Sequence, residues 1–265
     1  MRDDSNNNIK ISIVTVVYNG VNEIEHTINS VISQNFTNYE FIIIDGKSTD
    51  GTTEKIKSFS NQIHQFVSEE DQGIYDAMNK GIKLARGEWI YFLNAGDTFY
   101  NEDVLKELFL FDFSEDLVYG SNEADYGYFK RINKPQSLSR IHKGMVFSHQ
   151  AMICRTSLMK KHPFDLSYRM SADYNFIYGL FRKGHQFKQV DIIFATLEAR
   201  GVSEENIVLT HKERQRIATS YEKGWSKFKL NFWYYIETIR LKMVNFIKWL
   251  LPKKTVQKLT QKKYS

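Results

Sequence analysis

Four aspartates stand where one kind of local pattern gives way to another. Asp45 follows the apolar run YEFIII, Asp71 opens DQG, Asp97 closes NAGD, and Asp173 begins an apolar helical pattern in SADYNF. Polar neighbours accompany them: Thr15, Tyr18 and Asn19 near the end of one apolar run, Ser48 after another, and Asn79 and Asn94 beyond. An ionised carboxylate accepts hydrogen bonds, takes a proton from a hydroxyl, and ligates hard divalent cations. Any of the four would also serve as an ordinary turn or helix-capping residue, so what positions them decides the reading.

Residues 9–18 (IKISIVTVVY) form a β-branched run ending in Asn19-Gly20, which predicts a buried strand and a turn. Residues 21–34 follow as a helix with Ile24, Ile28, Val31 and Ile32 on one face, and residues 39–44 as a second buried strand. A short helix over 52–59, a strand over 63–67, a helix over 73–85 and a strand over 89–93 continue the alternation, which implies a parallel sheet. In open α/β sheets ligands bind beyond the carboxyl ends of the strands, so Tyr18-Asn19, Asp45 and Asp97 should converge on one rim. Past Gly120 the pattern loosens, with a strand expected over 145–154 and a helix over 171–181.

At 265 residues, with 42% hydrophobic and 14% aromatic residues, the chain can bury a full core. Its single cysteine, Cys154, makes no internal disulfide, which fits a reducing cytoplasm. The polar, acidic start does not read as a secretory signal, and no uncharged apolar stretch reaches the ~18 residues of a membrane span. Residues 221–265 carry eleven Lys and Arg against two acids, a net +9, which leaves residues 1–220 at −4. The expected organisation is therefore a body over 1–220, divided near residue 100, and a basic tail over 221–265.

The motifs VVYN at 16–19, IIIDGKSTDGT at 42–52, DQGIYDAMNKGI at 71–82 and GEWIYFLNAGD at 87–97 resemble, in order, the donor half of family 2 glycosyltransferases. The remaining chain resembles the family's acceptor half more loosely. The resemblance implies an inverting transferase of the GT-A fold, with a Rossmann-like, mostly parallel central sheet, flanking helices, and here a helical basic tail. It implies a UDP-sugar donor, a divalent metal (Mn²⁺ or Mg²⁺), and a saccharide acceptor, lipid-linked as in relatives that build bacterial surface polysaccharides.

On that resemblance Thr15, Val17, Tyr18 and Asp45 would receive the base, Asp45 accepting the imide N–H that uracil has and cytosine lacks. Asn19, Ser48, Asp71, Asn79 and Asn94 would complete the donor site, although Ser48 with Asp50 and Gly51 also suits a turn before a helix. Asp97 would hold the metal, with Ala95 standing where the family usually has the first acid of Asp-x-Asp. Asp173 would be the general base, His149 and Gln150 would touch the acceptor, and Arg200 with Ser203 would close over the diphosphate.

In the tail, Ile236, Ile239, Met243, Phe246, Ile247, Leu250 and Leu251 recur at helical spacing. That face suits either an anionic membrane surface, on the inner side of the cytoplasmic membrane, or packing on the body. A Rossmann dehydrogenase is disfavoured because no G-x-G-x-x-G follows a strand, and a nucleotidyltransferase because Tyr18-Asn19-Gly20-Val21 is not a basic glycine-rich loop. Nucleic acid is not an expected partner, given the acidic body. A donor-binding module without turnover is the non-enzyme rival, for which Ala95 is the hint.

Overall fold

The computed structural model describes residues 9–198 and 206–252, with a few positions beyond. β1 (Ile11–Val17) and β2 (Tyr39–Asp45) are buried almost throughout, as befits β-branched strands covered on both faces. They pair in parallel, Val17 beside Asp45. β3 (Gln65–Ser68) joins β2, and β4 (Trp89–Phe92) joins the other side of β1, both also in parallel. The order β3-β2-β1-β4 reverses its winding between β1 and β4, the place where such sheets bind ligands.

The sheet then runs on through β8 (Met152–Arg155), β6 (Leu117–Asp125), β9 (Phe187–Glu198) and β5 (Thr98–Phe99), with β7 (Lys130–Asn133) beside β6. In this half only β6 and β9 are parallel, while the β4–β8, β6–β8, β6–β7 and β5–β9 pairs are antiparallel. The sheet is thus wholly parallel from β3 to β4 and mixed beyond. β7 returns antiparallel on β6 because only four residues join them, too few for a parallel crossover.

Helices cover both faces. On one lie α1 (Ile24–Ile32) and α4 (Val104–Leu108), whose Ile24, Ile28, Val31 and Leu105 meet Ile11, Ile13, Phe41 and Ile43. Burying each such side chain contributes roughly 1.5–3 kcal/mol. On the other lie α3 (Ile74–Leu84), α5 (Thr156–Lys161), α6 (Ala172–Arg182) and α7 (Ile207–Ser220), against Val14, Val16, Ile42 and Ile44. α3 lies close on β1, since a Cβ on Gly81 would stand 2.4 Å from Val14 Cγ1. α2 (Thr52–Lys57) follows β2.

Asp97, open on sequence to a helix-capping role, is followed by the short β5 and only then by α4, so it caps no helix. The strand expected over 145–154 is shortened to β8, because residues His149–Ala151 wind into a 3-10 turn whose Gln150 amide donates to the Ser148 hydroxyl. That turn places His149 and Gln150.

The long α8 (Gly224–Leu250) starts just past the expected boundary near 220, yet its Leu230 and Tyr234 are buried in the same core as α6 and α7. Tyr234 donates to the His142 carbonyl at 3.2 Å. Outside that anchor, Trp225, Phe228, Phe232, Tyr235, Met243, Phe246 and Trp249 are exposed. Among the described residues no helix is long and apolar enough to cross a membrane.

Candidate active site

The loops after β1 and β2 are stitched into one rim. Asn19, at φ 50°, donates its amide to Ser48 Oγ at 2.7 Å and accepts Thr49 N–H on Oδ1 at 2.9 Å. Gly20 N–H reaches Thr52 Oγ1 at 2.9 Å and Val21 N–H reaches Asp50 Oδ2 at 3.1 Å. An asparagine tolerates the left-handed region, and holding it there needs this surrounding network.

Several polar groups expected to meet a ligand have partners within the protein. Asp45 is wholly buried and accepts from the Ser48 amide and hydroxyl, from Thr53 Oγ1 at 3.0 Å and from Ser68 Oγ at 2.6 Å. Its carboxylate shapes the loop that follows β2. Ser48 is used on both sides, by Asp45 and by Asn19. Thr15 Oγ1 donates to the Leu93 carbonyl at 2.7 Å, tying β1 to the end of β4, and Val17 packs in the core. Asn79 is clamped to the backbone of Phe164 by both ends of its amide, each at 2.9 Å, which makes it a brace for α3.

What remains open at this end of the sheet is Tyr18, 66% exposed, beside the Asp71 carboxylate. Between them runs Gly46, where a Cβ would stand 2.4 Å from Asp71 Oδ2 and 3.3 Å from Tyr18 Cδ2. A side chain at position 46 would push the Asp71 carboxylate away from this stretch of backbone. Asp71 Oδ1 accepts Gly73 N–H at 2.8 Å, which fixes the turn into α3.

Asp97 and Asp173 lie 76 positions apart in the chain, and two consecutive residues hold both. Gln150 Nε2 donates to Asp97 Oδ2 at 3.1 Å, while His149 Nδ1 stands 3.1 Å from Asp173 Oδ2. Since an ionised carboxylate only accepts, Nδ1 carries the proton in that pair. His149 Nε2 then turns towards Asn94, whose Nδ2 is 3.5 Å away. Asn94 Oδ1 is buried and has no hydrogen-bond partner among the described residues, an acceptor waiting for a donor or a cation.

Asp173 is not the helix cap it would be by default. It sits in the first turn of α6, its Oδ1 accepting from Tyr75 Oη at 3.0 Å and from the Tyr174 amide at 2.7 Å. Burial alone would raise its pKa, but the His149 hydrogen bond and charge, the charge of Arg214 and the Tyr174 amide outweigh it and hold the carboxyl below its usual range. Tyr75 was not foreseen, because its spacing with Met78 and Ile82 marks it as a core residue of α3.

Asp97 has the opposite environment. Burial pushes its pKa up to about 6, and the Gln150 hydrogen bond and His149 only partly offset this; the Glu198 carboxylate pushes the same way as burial. Thr27 on α1 pins the turn that carries it, accepting Gly96 N–H at 3.1 Å and donating to the Asp97 carbonyl at 2.8 Å. A cavity of about 600 Å³ opens beside this turn, between Glu23, His26, Gly96, Thr98, Lys130 and Glu198. Two carboxylates pushed apart in acidity within one site are a signature of divided labour: one built to stay ionised, one that a cation would stabilise.

Among the described residues no cluster of three or more His, Cys, Asp or Glu side chains could by itself hold a metal. The oxygens present, Asp97 and the unpaired Asn94 Oδ1, still fit a hard cation that takes most of its ligands from substrate phosphates. Arg200 and Ser203 lie outside the described residues.

Known proteins resemble this chain in sequence and in fold. A PGL/p-HBAD biosynthesis glycosyltransferase of Mycobacterium bovis (strain BCG / Pasteur 1173P2) is 32% identical over 172 residues, 62% of this chain and 67% of that protein. Staphylococcus aureus TarS 1-349 in complex with UDP-GlcNAc superposes with a TM-score of 0.67 at 17% identity, covering 92% of this chain and 77% of that one. The mannosyltransferase PcManGT of Pyrobaculum calidifontis, in complex with GDP-Man and Mn²⁺, gives a TM-score of 0.64 at 16% identity, over 85% and 69% of the two chains. The fold shared with these structures is GT-A. Residues 12–172, more than half of the chain and the whole stretch from β1 to the start of α6, match the model of glycosyl transferase family 2, so the chain belongs to that family and is a glycosyltransferase.

Proposed function

We propose that this chain transfers a sugar from a UDP-sugar to a hydroxyl of a saccharide acceptor, inverting the anomeric centre, with Asp173 as the base. The observation that carries it is the His149-Gln150 pair, which ties the metal candidate Asp97 and the base candidate Asp173 into one constellation. Asp173 is held ionised and oriented by His149 and Tyr75, ready to take the acceptor proton as attack develops. A single base with in-line attack requires no covalent intermediate.

Asp97, with Asn94 Oδ1, would hold a divalent cation, Mn²⁺ or Mg²⁺. Such an ion neutralises the diphosphate as the sugar bond breaks. Tyr18 would offer its exposed ring to the base and Asp71 its carboxylate to the base or ribose. Uridine is supported by the TarS complexes with UDP and UDP-GlcNAc, and a role in surface glycan assembly by the PGL/p-HBAD relative. The exposed aromatic face and basic charge of α8 support attachment to an anionic membrane at the inner face of the bacterial cytoplasmic membrane, where a lipid-linked acceptor would be found.

The test is a panel of UDP-sugars assayed for hydrolysis and transfer with Mn²⁺. One donor should turn over, and Asp173→Asn should remove turnover while UDP still binds. Nucleotide binding without turnover of any donor would instead make the chain a binding module. Membrane attachment is tested with Phe246→Ala/Trp249→Ala in flotation on anionic vesicles. These exposed positions are chosen because cutting α8 away would also remove the buried Tyr234. Unchanged flotation would refute the role of α8.

A further inference from the structure

A second cavity, of about 340 Å³, lies between the 3-10 turn Leu138–Lys143, α7 and α8. Its wall carries Arg140, Lys143, His211, Arg214 and Arg240 against one carboxylate, Glu237. Glu237 is spent on Arg240, at 2.8 Å. Among the described residues, Arg140, Lys143 and Arg214 have no carboxylate within ion-pair distance.

Arg214 Nε is buried and has no hydrogen-bond partner there, a costly state for a guanidinium. Trp233 forms another part of the wall, with Lys143 Nζ 5.4 Å from its ring centre. The cavity is also close to the reaction centre, since the Arg214 guanidinium lies 6.0 Å from the ring of Tyr174, the residue after Asp173. Arg140 and Lys143, which have no carboxylate partner among the described residues, and the unpaired Arg214 Nε, all beside an indole, match a phosphate ester attached to a sugar or an apolar chain.

We propose that this cavity binds a phosphate or diphosphate group of the acceptor and so delivers its hydroxyl to Asp173. The proposal rests on the glycosyltransferase reading above and names the acceptor class. The group is borne either by a free sugar phosphate or by a lipid. Arg140 and Lys143, both at the surface, give first electrostatic contact, and Arg214 holds the anion at depth. The donor diphosphate has its own place at Asp97, on the β1–β4 rim.

The experiment is calorimetric titration of the full chain, saturated with UDP and Mn²⁺ so that the donor cleft is filled, using glucose 1-phosphate and farnesyl diphosphate as probes. At least one probe should bind with a dissociation constant below about 1 mM, and Arg140→Glu/Lys143→Glu should weaken it more than tenfold while UDP affinity stays within twofold. Arg140→Gln/Lys143→Gln, which keeps the surface polar, should give an intermediate loss. Tighter farnesyl diphosphate assigns the phosphate to a lipid, and tighter or equal glucose 1-phosphate assigns it to a soluble sugar. If neither probe binds, or the charge-reversed chain binds as well as the parent, the cavity has no such role. UDP-sugar hydrolysis measured on the same samples keeps the two readings apart, because a chain that hydrolyses its donor but ignores both probes remains a transferase.

Discussion

His149 Nδ1 stands 3.1 Å from Asp173 Oδ2, a contact between a 3-10 turn at the start of β8 and the first turn of α6. It accounts for why a buried carboxylate stays ionised: the hydrogen bond and the neighbouring positive charge of Arg214 outweigh the desolvation that would otherwise neutralise it.

His149→Ala should therefore slow transfer by about tenfold to a hundredfold without changing UDP affinity, whereas Asp173→Asn should cost about a thousandfold or more. Steady-state kinetics on the two variants, with UDP titrations alongside, check this. Equal losses in the two would make the imidazole itself the proton acceptor, and no loss in His149→Ala would reduce the pair to packing.

The acid limb of the activity profile should come from Asp97, not from the base. With its carboxyl pushed up to about 6, protonation near that pH competes with the cation, while Asp173 remains ionised to below the usual carboxylate range. Activity at fixed donor should fall as pH drops through about 6, and raising Mn²⁺ should move that limb to lower pH. A limb that ignores the metal concentration would contradict the assignment.

The same carboxylate has a measurable effect on folding. Between its ordinary value of 3.8 and about 6 the native state holds a proton that the unfolded chain has released, so stability falls as pH rises through that window and the penalty is complete above it. Asp97→Asn, which can still accept from Gln150, should stabilise the metal-free chain at pH 7 by on the order of 2 kcal/mol. The gain should vanish near pH 4. Melting curves in EDTA across this range would show it, and parallel pH dependence in parent and variant would exclude it.

At the opposite end of the sheet, Glu40 is wholly buried and accepts from Ser12 Oγ at 2.6 Å, the Arg86 amide and side chain, and the Gly87 amide. Burial works against its charge, and these donors prevail, holding the carboxyl below its usual range. Glu40→Ala should destabilise by about 3–5 kcal/mol, because the donors are left without a partner. Arg86→Ala, at a side chain 61% exposed, should cost under about 1 kcal/mol. Urea unfolding of both variants separates the two cases.

The sequence was most legible where local pattern and tertiary environment agree. The runs at β1, β2 and β4 are apolar on both faces, so their burial and their ordered ends at Asn19, Asp45 and Asn94 follow from residue type alone. Side-chain commitments were not legible, since Thr15, Ser48 and Asn79 are satisfied by groups between 29 and 85 positions away. The shortened β8 has the same origin: an apolar run reads as strand, and only the Ser148 hydroxyl bonding the Gln150 amide winds its beginning into a turn. Asp173 and His149 are each ordinary as single letters, and their meaning lies in a contact between two distant elements.

The stitching of the β1 and β2 loops bears on redesign of the proposed donor pocket. Asn19 exchanges hydrogen bonds with Ser48 and Thr49, and Asp50 and Thr52 hold Gly20 and Val21 in return, so neither loop has an independent conformation. Grafting one of them alone from a relative with another nucleotide preference would strand donors on both sides. Residues 18–21 and 45–52 are therefore expected to exchange only as a single cassette, so on the proposed donor site a change of nucleotide preference should move them together.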